Sequence, residues 1–374
     1  MSGDVFGNGM LLSRQIKLVA AFDHRHIFID PTPDPEVSYH ERKRLFETPR
    51  STWADYRPES LSIGGDIFPR QAKSVPLSPE IRVLLGADVE SISGEELVRT
   101  ILKLPVDLLY NGGIGTHLKV SHETHADASD EKNDAVRVNA SELSCRVVGE
   151  GGNLGFTHAA RVEFAARGGR INTDFIDNSG GVDLSDHEVN IKLALAPLVR
   201  DGTMAFKARN KLLEELAPAV CQLVLETNRN QARALSLEER ASATDPSDHL
   251  ALLKDLRRDG LIEKTPTGFP DTEDVPRRRE AGVGLLRPEL ATLPGLRKNP
   301  DLCGAQCVGD RFDAVVRELL ARVLPRRRSQ ALRRRHSEPS TAFGNRRDGR
   351  NERGRPTVRR NALSPLSDAT TVAT

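Results

Sequence analysis

Residues 143–153, LSCRVVGEGGN, carry the pattern that decides the fold class: a short apolar run followed by a glycine-rich turn. Such runs, bounded by turn residues, are typical of buried strands in parallel sheets. Residues 157–167 follow with helical spacing, and Gly168 and Gly169 then favour a helix end. A strand, a glycine turn and a helix in this order predict one unit of an α/β fold.

The same order extends to both sides of this unit. Residues 16–22 are predicted as a buried parallel strand that ends at Asp23, and residues 106–110 as a strand that ends at Asn111. Residues 170–176 are predicted as a further strand. Strands that alternate with helices imply a parallel sheet, and ligands of open α/β sheets bind at the carboxyl ends of the strands.

Helical spacing dominates two other parts of the chain. Residues 94–104 are predicted as a helix whose N-cap is Ser93, with Glu96 placed to complete a capping box. Residues 183–235 also have mostly helical spacing, and we expect Pro218 to kink the helix there.

The chain divides into three predicted parts. Residues 1–200 contain the predicted sheet, residues 201–293 are a helical segment with a last helix starting near Arg287, and residues 294–374 are rich in arginine without periodicity. That composition predicts a disordered basic tail. Such a tail can bind nucleic acid by neutralising phosphates. This one has few interleaved aromatic residues, so we expect no nucleic-acid partner.

The overall composition, with 38% hydrophobic and 29% charged residues and a net charge of +1, suits a soluble protein. No run approaches the roughly 18 apolar residues of a membrane span, and the N-terminus lacks the features of a signal peptide. Four cysteines are too few for a disulfide framework. We therefore expect a cytoplasmic protein with no membrane association.

Three asparagines beside glycines mark predicted strand ends: Asn111, Asn153 and Asn178. Their amides can donate to and accept from a ligand, although each also suits an ordinary turn. Asp23 lies 20 residues after Gly3. Dinucleotide-binding folds place a carboxylate on the adenosine ribose at this separation. The alternative for Asp23 is a solvated turn.

Several histidines and carboxylates form a loose cluster, but their spacing matches no standard zinc pattern. We expect a solvated polar loop there and no metal site. The cluster comprises His117, His122, Glu123, His125 and Asp127.

Specific strings of this sequence resemble the large bacterial NAD-specific glutamate dehydrogenases. They are SGDVFGNGMLLS at 2–13, VAAFDHRHIF at 19–28, YNGGIGT at 110–116, VGEGGNLG at 148–155, and the longest match, from GRINTDFIDN at 169–178 to HEVN at 187–190.

The resemblance implies NAD-dependent oxidative deamination of L-glutamate to 2-oxoglutarate and ammonia by a homo-oligomeric enzyme. It implies that Ser2 and Gly3 end the phosphate loop and that Asp23 is the ribose acid. By the same resemblance Asn153 lies by the nicotinamide ribose and Asn178 beside nicotinamide and substrate. Ser185 is implied to contact the substrate side-chain carboxylate, and Asn111 to contact the cofactor.

The family carries its catalytic Lys and Asp, and the first strand of its sheet, before the segment that begins here at Met1. The resemblance thus implies an incomplete Rossmann-like parallel sheet that lacks its first strand, and no catalytic residue in this chain. The resemblance stops after Leu293. Codons for the following residues, read in a shifted frame, can restore the family pattern, so we expect residues 294–374 to be frameshifted. The competing hypothesis is an inactive, truncated remnant.

Overall fold

The structure is a computed structural model that describes residues 9–113, 115–258, 274–280 and 282–296. All of these residues belong to one compact unit of the chain. Its strands are β1 (Ala20–Phe22), β2 (His26–Ile29), β3 (Asp66–Pro69), β4 (Val75–Pro76), β5 (Ser91–Ile92), β6 (Leu108–Asn111), β7 (Leu118–Lys119), β8 (Val138–Asn139) and β9 (Val147–Glu150). Its helices are α1 (Pro35–Glu47), α2 (Pro79–Leu85), α3 (Gly94–Leu102), α4 (His158–Ala166), α5 (Asp174–Asp177), α6 (Asp183–Arg200), α7 (Phe206–Thr244), α8 (Ser247–Arg258), α9 (Asp274–Glu280) and α10 (Arg287–Leu296).

Two parallel strand pairs confirm a mixed α/β architecture. β6 pairs with β9, with Leu108 opposite Val147 and Asn111 opposite Glu150. β7 pairs with β8 in the same sense. Both strands of the β6–β9 pair were expected from the sequence, although each begins and ends one or more residues later than predicted. The glycine-rich turn after β9 and the Asn111 turn after β6 consequently emerge at the same edge.

The prediction of a parallel strand at residues 16–22 was wrong in its direction. β1 pairs antiparallel with β2, and β2 pairs antiparallel with β3. Only three residues separate β1 from β2, and a parallel connection needs a crossover of a dozen or more. The carboxylate of Asp23 stabilises this tight turn, because its Oδ1 accepts hydrogen bonds from the backbone N–H groups of Arg25 and His26, both at 2.7 Å.

The prediction of a strand at residues 170–176 was also wrong. Arg170 alone makes an isolated parallel bridge, to Val147, and the helical turn α5 follows. Polar contacts explain the difference, because Asn172 Nδ2 donates to Asp177 Oδ1 at 2.8 Å. Asn172 and Asp177 are five residues apart. Their side chains can meet across a turn, whereas an extended strand would hold them too far apart for a hydrogen bond.

The helices agree more closely with the sequence. Ser93 caps α3 as predicted, since its hydroxyl accepts from the backbone N–H of Glu96 at 3.1 Å. Thr157 caps α4 in the same way through Ala160, and Gly168 follows that helix with φ of +89°, a conformation that favours glycine. The long helical region is divided into α6 and α7, and α7 continues through Pro218.

Separate groups of buried apolar side chains pack around the parallel strand pairs and among the C-terminal helices. One surrounds the parallel pairs and includes Leu97, Val148 and Phe156. Another includes Ile176 of α5 and Leu235 of α7, together with Leu253, Leu256, Val275, Leu285, Leu290, Ala291 and Leu293. The second core therefore fastens the turn that follows residues 170–173 to the helical part of the chain.

Some sequence expectations lie outside the described residues. These are the positions of Ser2 and Gly3 and nearly all of the predicted tail, of which only the backbone at 294–296 is described. The predicted division at residue 200 stays a prediction. None of the helices that the structure describes is long and apolar enough to cross a membrane.

Replacing Asp23 should destabilise the protein even when no ligand is present. Asp23→Ala removes the acceptor of two backbone N–H groups, and hydrogen bonds to a charged group contribute about 1.5–3 kcal/mol each. Because the groups are only partly buried, we expect the free energy of unfolding to fall by about 1–3 kcal/mol in total, measured by urea denaturation. Asp23→Asn should lose less, since its amide oxygen still accepts. An equal effect of Asp88→Ala, at an exposed loop position, would contradict this role.

Candidate functional site

The turn after β9 meets the turn after α5 through a pair of asparagine side chains. Asn178 Nδ2 donates to Asn153 Oδ1 at 2.7 Å, and Asn178 Oδ1 accepts from the backbone N–H of Gly181 at 3.1 Å. Asn178 is almost fully buried. The structure therefore brings together two of the asparagines that the sequence marked at strand ends.

Asn111 joins the same edge from the neighbouring strand. Its carbonyl accepts from the N–H of Gly152 at 2.9 Å, which ties the β6 turn to the β9 turn. Its side chain lies against Gly155, where an added Cβ would stand only 1.9 Å from Nδ2. Nδ2 is enclosed, and it has no hydrogen-bond partner among the described residues. The Asn111 amide is thus an enclosed donor at the same edge, against Gly155.

The glycines of the β9 turn are required by packing. A Cβ at Gly152 would lie 2.2 Å from the carbonyl oxygen of Gly113, and one at Gly151 would lie 2.0 Å from the Tyr110 hydroxyl. Contacts under 3.0 Å are not found for real Cβ atoms. The close approach of the two turns therefore requires glycine at 152, where the clash is with backbone, whereas a side chain at 151 would have to displace the Tyr110 ring.

A buried ionic network supports the turns from the side of the helices. Arg161 of α4 donates to both carboxylate oxygens of Glu150, at 2.6 and 3.0 Å, and lies 3.3 Å from a carboxylate oxygen of Asp174. Asp174 in turn accepts from the N–H of Leu154 at 2.9 Å. One guanidinium thus connects the end of β9, the residue after Asn153 and the start of α5.

Burial governs the ionisation of this network. It raises the pKa of Glu150 to about 7, although Arg161 opposes the rise and Asp174 and Asp177 add to it. Burial also raises the pKa of Asp177, whose Oδ2 accepts from the N–H of Glu150 at 3.1 Å. Against the effect of burial, Glu150 and Asp174 hold the pKa of Arg161 above its ordinary value.

The other predicted site residues lie elsewhere. Asp23 is in the β1–β2 turn, where Arg70 donates to its carbonyl at 2.9 Å. Ser185 is exposed on the first turn of α6. Neither contacts the Asn153–Asn178 pair or the Asn111 turn through a hydrogen bond among the described residues.

The loose cluster of histidines and carboxylates is dispersed. Among the described residues, no three side chains of the metal-ligating types are grouped so that they could hold a metal. His117 packs edge-on against Phe22, with ring centroids 5.6 Å apart. Burial lowers the pKa of His117 to about 4, with Arg70 contributing, so its imidazole is neutral at physiological pH.

Comparison with known proteins identifies the family of the chain that carries this site. The family model for the bacterial NAD-glutamate dehydrogenase catalytic domain matches residues 1–238. The chain belongs to the bacterial NAD-glutamate dehydrogenase family. The matched range contains every site residue predicted from the sequence, and it ends within α7.

Relatives with the name NAD-specific glutamate dehydrogenase share about half of the aligned residues. The protein of Pseudomonas aeruginosa is 51% identical over 293 residues, covering 78% of this chain. That of Mycobacterium tuberculosis is 49% identical over 299 residues, also covering 78%, and that of Halomonas elongata is 48% identical, covering 80%. In each case the chain spans 18% of the relative's length.

Sequence reasoning missed Glu150, Arg161, Asp174 and Asp177 in this member of the glutamate dehydrogenase family. Glu150 stands inside the glycine-rich turn at residues 149–153, so its position was visible in the sequence. Its partner Arg161 is eleven residues further on, across a turn and the start of a helix. Periodicity places Arg161 on α4, but the direction of its side chain depends on how α4 packs on β9.

Removing the partner of Glu150 should cost more at high pH than at low pH. At pH 8 Glu150 of the wild type is mostly ionised, so Arg161→Met either leaves a buried carboxylate without its counter-ion or forces Glu150 to take up a proton. Breaking such a pair costs about 3–5 kcal/mol. At pH 5 Glu150 is protonated in both proteins, and the measured loss in urea denaturation should be smaller.

The double variant Glu150→Gln/Arg161→Met removes both charges and should recover part of the stability lost in Arg161→Met at pH 8. Equal losses at pH 5 and pH 8, with no recovery in the double variant, would contradict a buried ion pair.

Proposed function

We propose that this chain supplies the cofactor-binding part of an NAD-dependent oxidoreductase that deaminates L-glutamate to 2-oxoglutarate and ammonia. Family membership supports the activity, and the Asn153–Asn178 pair supports the location of the cofactor. The proposal includes a Rossmann-like arrangement in which β6 and β9 form part of a larger parallel sheet. It also includes a cytoplasmic, homo-oligomeric enzyme.

The residues at the carboxyl edge of β6 and β9 suit a dinucleotide. The enclosed Nδ2 of Asn111 is a donor with a hydrogen bond still to make, and a buried donor left unpaired is costly. The amides of Asn153 and Asn178 are fixed by their mutual bond. NAD, when bound, accepts the hydride from the substrate carbon. The asparagines would bind and orient it.

The remaining assignments follow the family resemblance. Asp23 would accept from the adenosine ribose through Oδ2, because Oδ1 is engaged by its own turn. Ser2 and Gly3 would contact the phosphates, and the exposed Ser185 would contact the substrate carboxylate. We assign no acid–base residue to this chain.

The alternative is a chain that binds no cofactor by itself. One observation favours it: β6 is at the edge of its sheet among the described strands, and its Leu108 and Tyr110 are 53% and 42% exposed. Apolar side chains and unpaired backbone groups on such an edge favour association with another strand.

A calorimetric titration of the full 374-residue chain with NAD separates these two hypotheses. We expect saturable binding that weakens about tenfold in Asn153→Ala, the loss of one or two hydrogen bonds of about 1 kcal/mol each. Asn190→Ala is the control, because Asn190 is exposed on α6. No saturable binding by the wild type, or equal affinity in both variants, would reject the proposal.

A further inference from the structure

The long helix α7 holds the Asn178 turn through the residues that flank Asn178 in the sequence. Asn228 of α7 donates through Nδ2 to the carbonyl of Ile176 at 2.7 Å and to the hydroxyl of Ser179 at 2.9 Å. Ser179 donates to the same carbonyl at 2.8 Å. The two contacts of Asn228 therefore lie on either side of Asn178.

The helix α10 reaches the same turn by a second route. Arg287 Nε donates to Asn172 Oδ1 at 2.9 Å, and Asn172 Nδ2 donates to Asp177 Oδ1 at 2.8 Å. The other oxygen of Asp177 accepts from the backbone N–H of Glu150. Arg287 is thereby connected, through two side chains, to the end of β9.

Both routes start from one face of α7. Asn228, Ala232 and Ser236 are spaced four residues apart, so they lie on the same side of the helix. Arg287 Nη1 donates to the hydroxyl of Ser236 at 2.9 Å, and Nη2 donates to the carbonyl of Ala232 at 3.4 Å. The apolar contacts of Ile176 with the second core reinforce this attachment.

We propose that Asn228 and Arg287 are positioning residues that hold the Asn178 turn against Asn153. Neither belongs to the asparagine group itself: Asn228 contacts the residues that flank Asn178, and Arg287 acts through Asn172 and Asp177. Their fixed geometry keeps the amide of Asn178 ready for the ligand, so that less ordering is required on binding. The identity of that ligand as NAD rests on the proposed function.

Asn228→Asp is the sharpest test. It preserves the shape of the side chain but exchanges the amide donor for an acceptor, which faces the carbonyl of Ile176 and repels it. Asn230→Asp is the matched control, because Asn230 is exposed two residues along the same helix. Arg287→Met removes the second route, and Arg287→Lys restores the positive charge.

Two readouts on the full chain, taken well below its unfolding temperature, decide the outcome. The first is the dissociation constant for NAD, which should rise about 3- to 30-fold in Asn228→Asp, a typical range for residues that act through others. The second is amide hydrogen exchange at Asn178 and Gly181, whose N–H groups bond to the carbonyls of Asp174 and Asn178. Exchange there should accelerate in Asn228→Asp and in Arg287→Met, and less in Arg287→Lys.

Affinity and exchange in Asn228→Asp equal to those in Asn230→Asp would overturn the positioning role. A wild type that fails to bind NAD would reject the proposed function instead. Hydrogen exchange would still decide whether Asn228 and Arg287 hold the turn.

Discussion

The hydrogen bond between the side chains of Asn153 and Asn178 joins two turns that come from different parts of the fold. One turn ends a parallel strand, and the other follows a short helical turn attached to α7. Glycine at 151 and 152 lets the first turn approach β6 closely, and Asn228 holds the second. Backbone N–H groups of Leu154 and Glu150, which donate to Asp174 and Asp177, support the same junction.

Charge burial is the main cost of this arrangement. Glu150 and Arg161 are both withdrawn from water, with the guanidinium shared between Glu150 and Asp174. Burying an ion pair rarely adds net stability, but it restricts the geometry in which the charges can be satisfied. Here that geometry fixes the end of β9, which precedes Asn153, relative to the start of α5, which precedes Asn178.

Local signals allowed α3, α4 and the parallel strands β6 and β9 to be predicted. The N-caps Ser93 and Thr157 and the apolar runs that become β6 and β9 each depend on a few neighbouring residues. Residues 16–22 and 170–176 were assigned wrongly because apolar runs do not reveal strand direction, and because side-chain contacts of Asp177 outweigh strand propensity. The meeting of the Asn111 and Asn153 turns was predictable, since parallel strands end at one edge. Asn178 joins them from the turn after α5, whereas the sequence had predicted a strand end there. The contacts of Arg161, Asn228 and Arg287 were not predictable, because they depend on helix packing over separations of up to 115 residues.

We propose that the Asn153–Asn178 pair lies at the cofactor site. Side-chain amide signals of asparagine, followed by NMR during titration of the labelled full chain with NAD, test it most directly. We expect the signals of Asn153, Asn178 and Asn111 to shift together and to saturate at one dissociation constant. A shift confined to asparagines elsewhere, such as Asn133 beside Arg70, would contradict it.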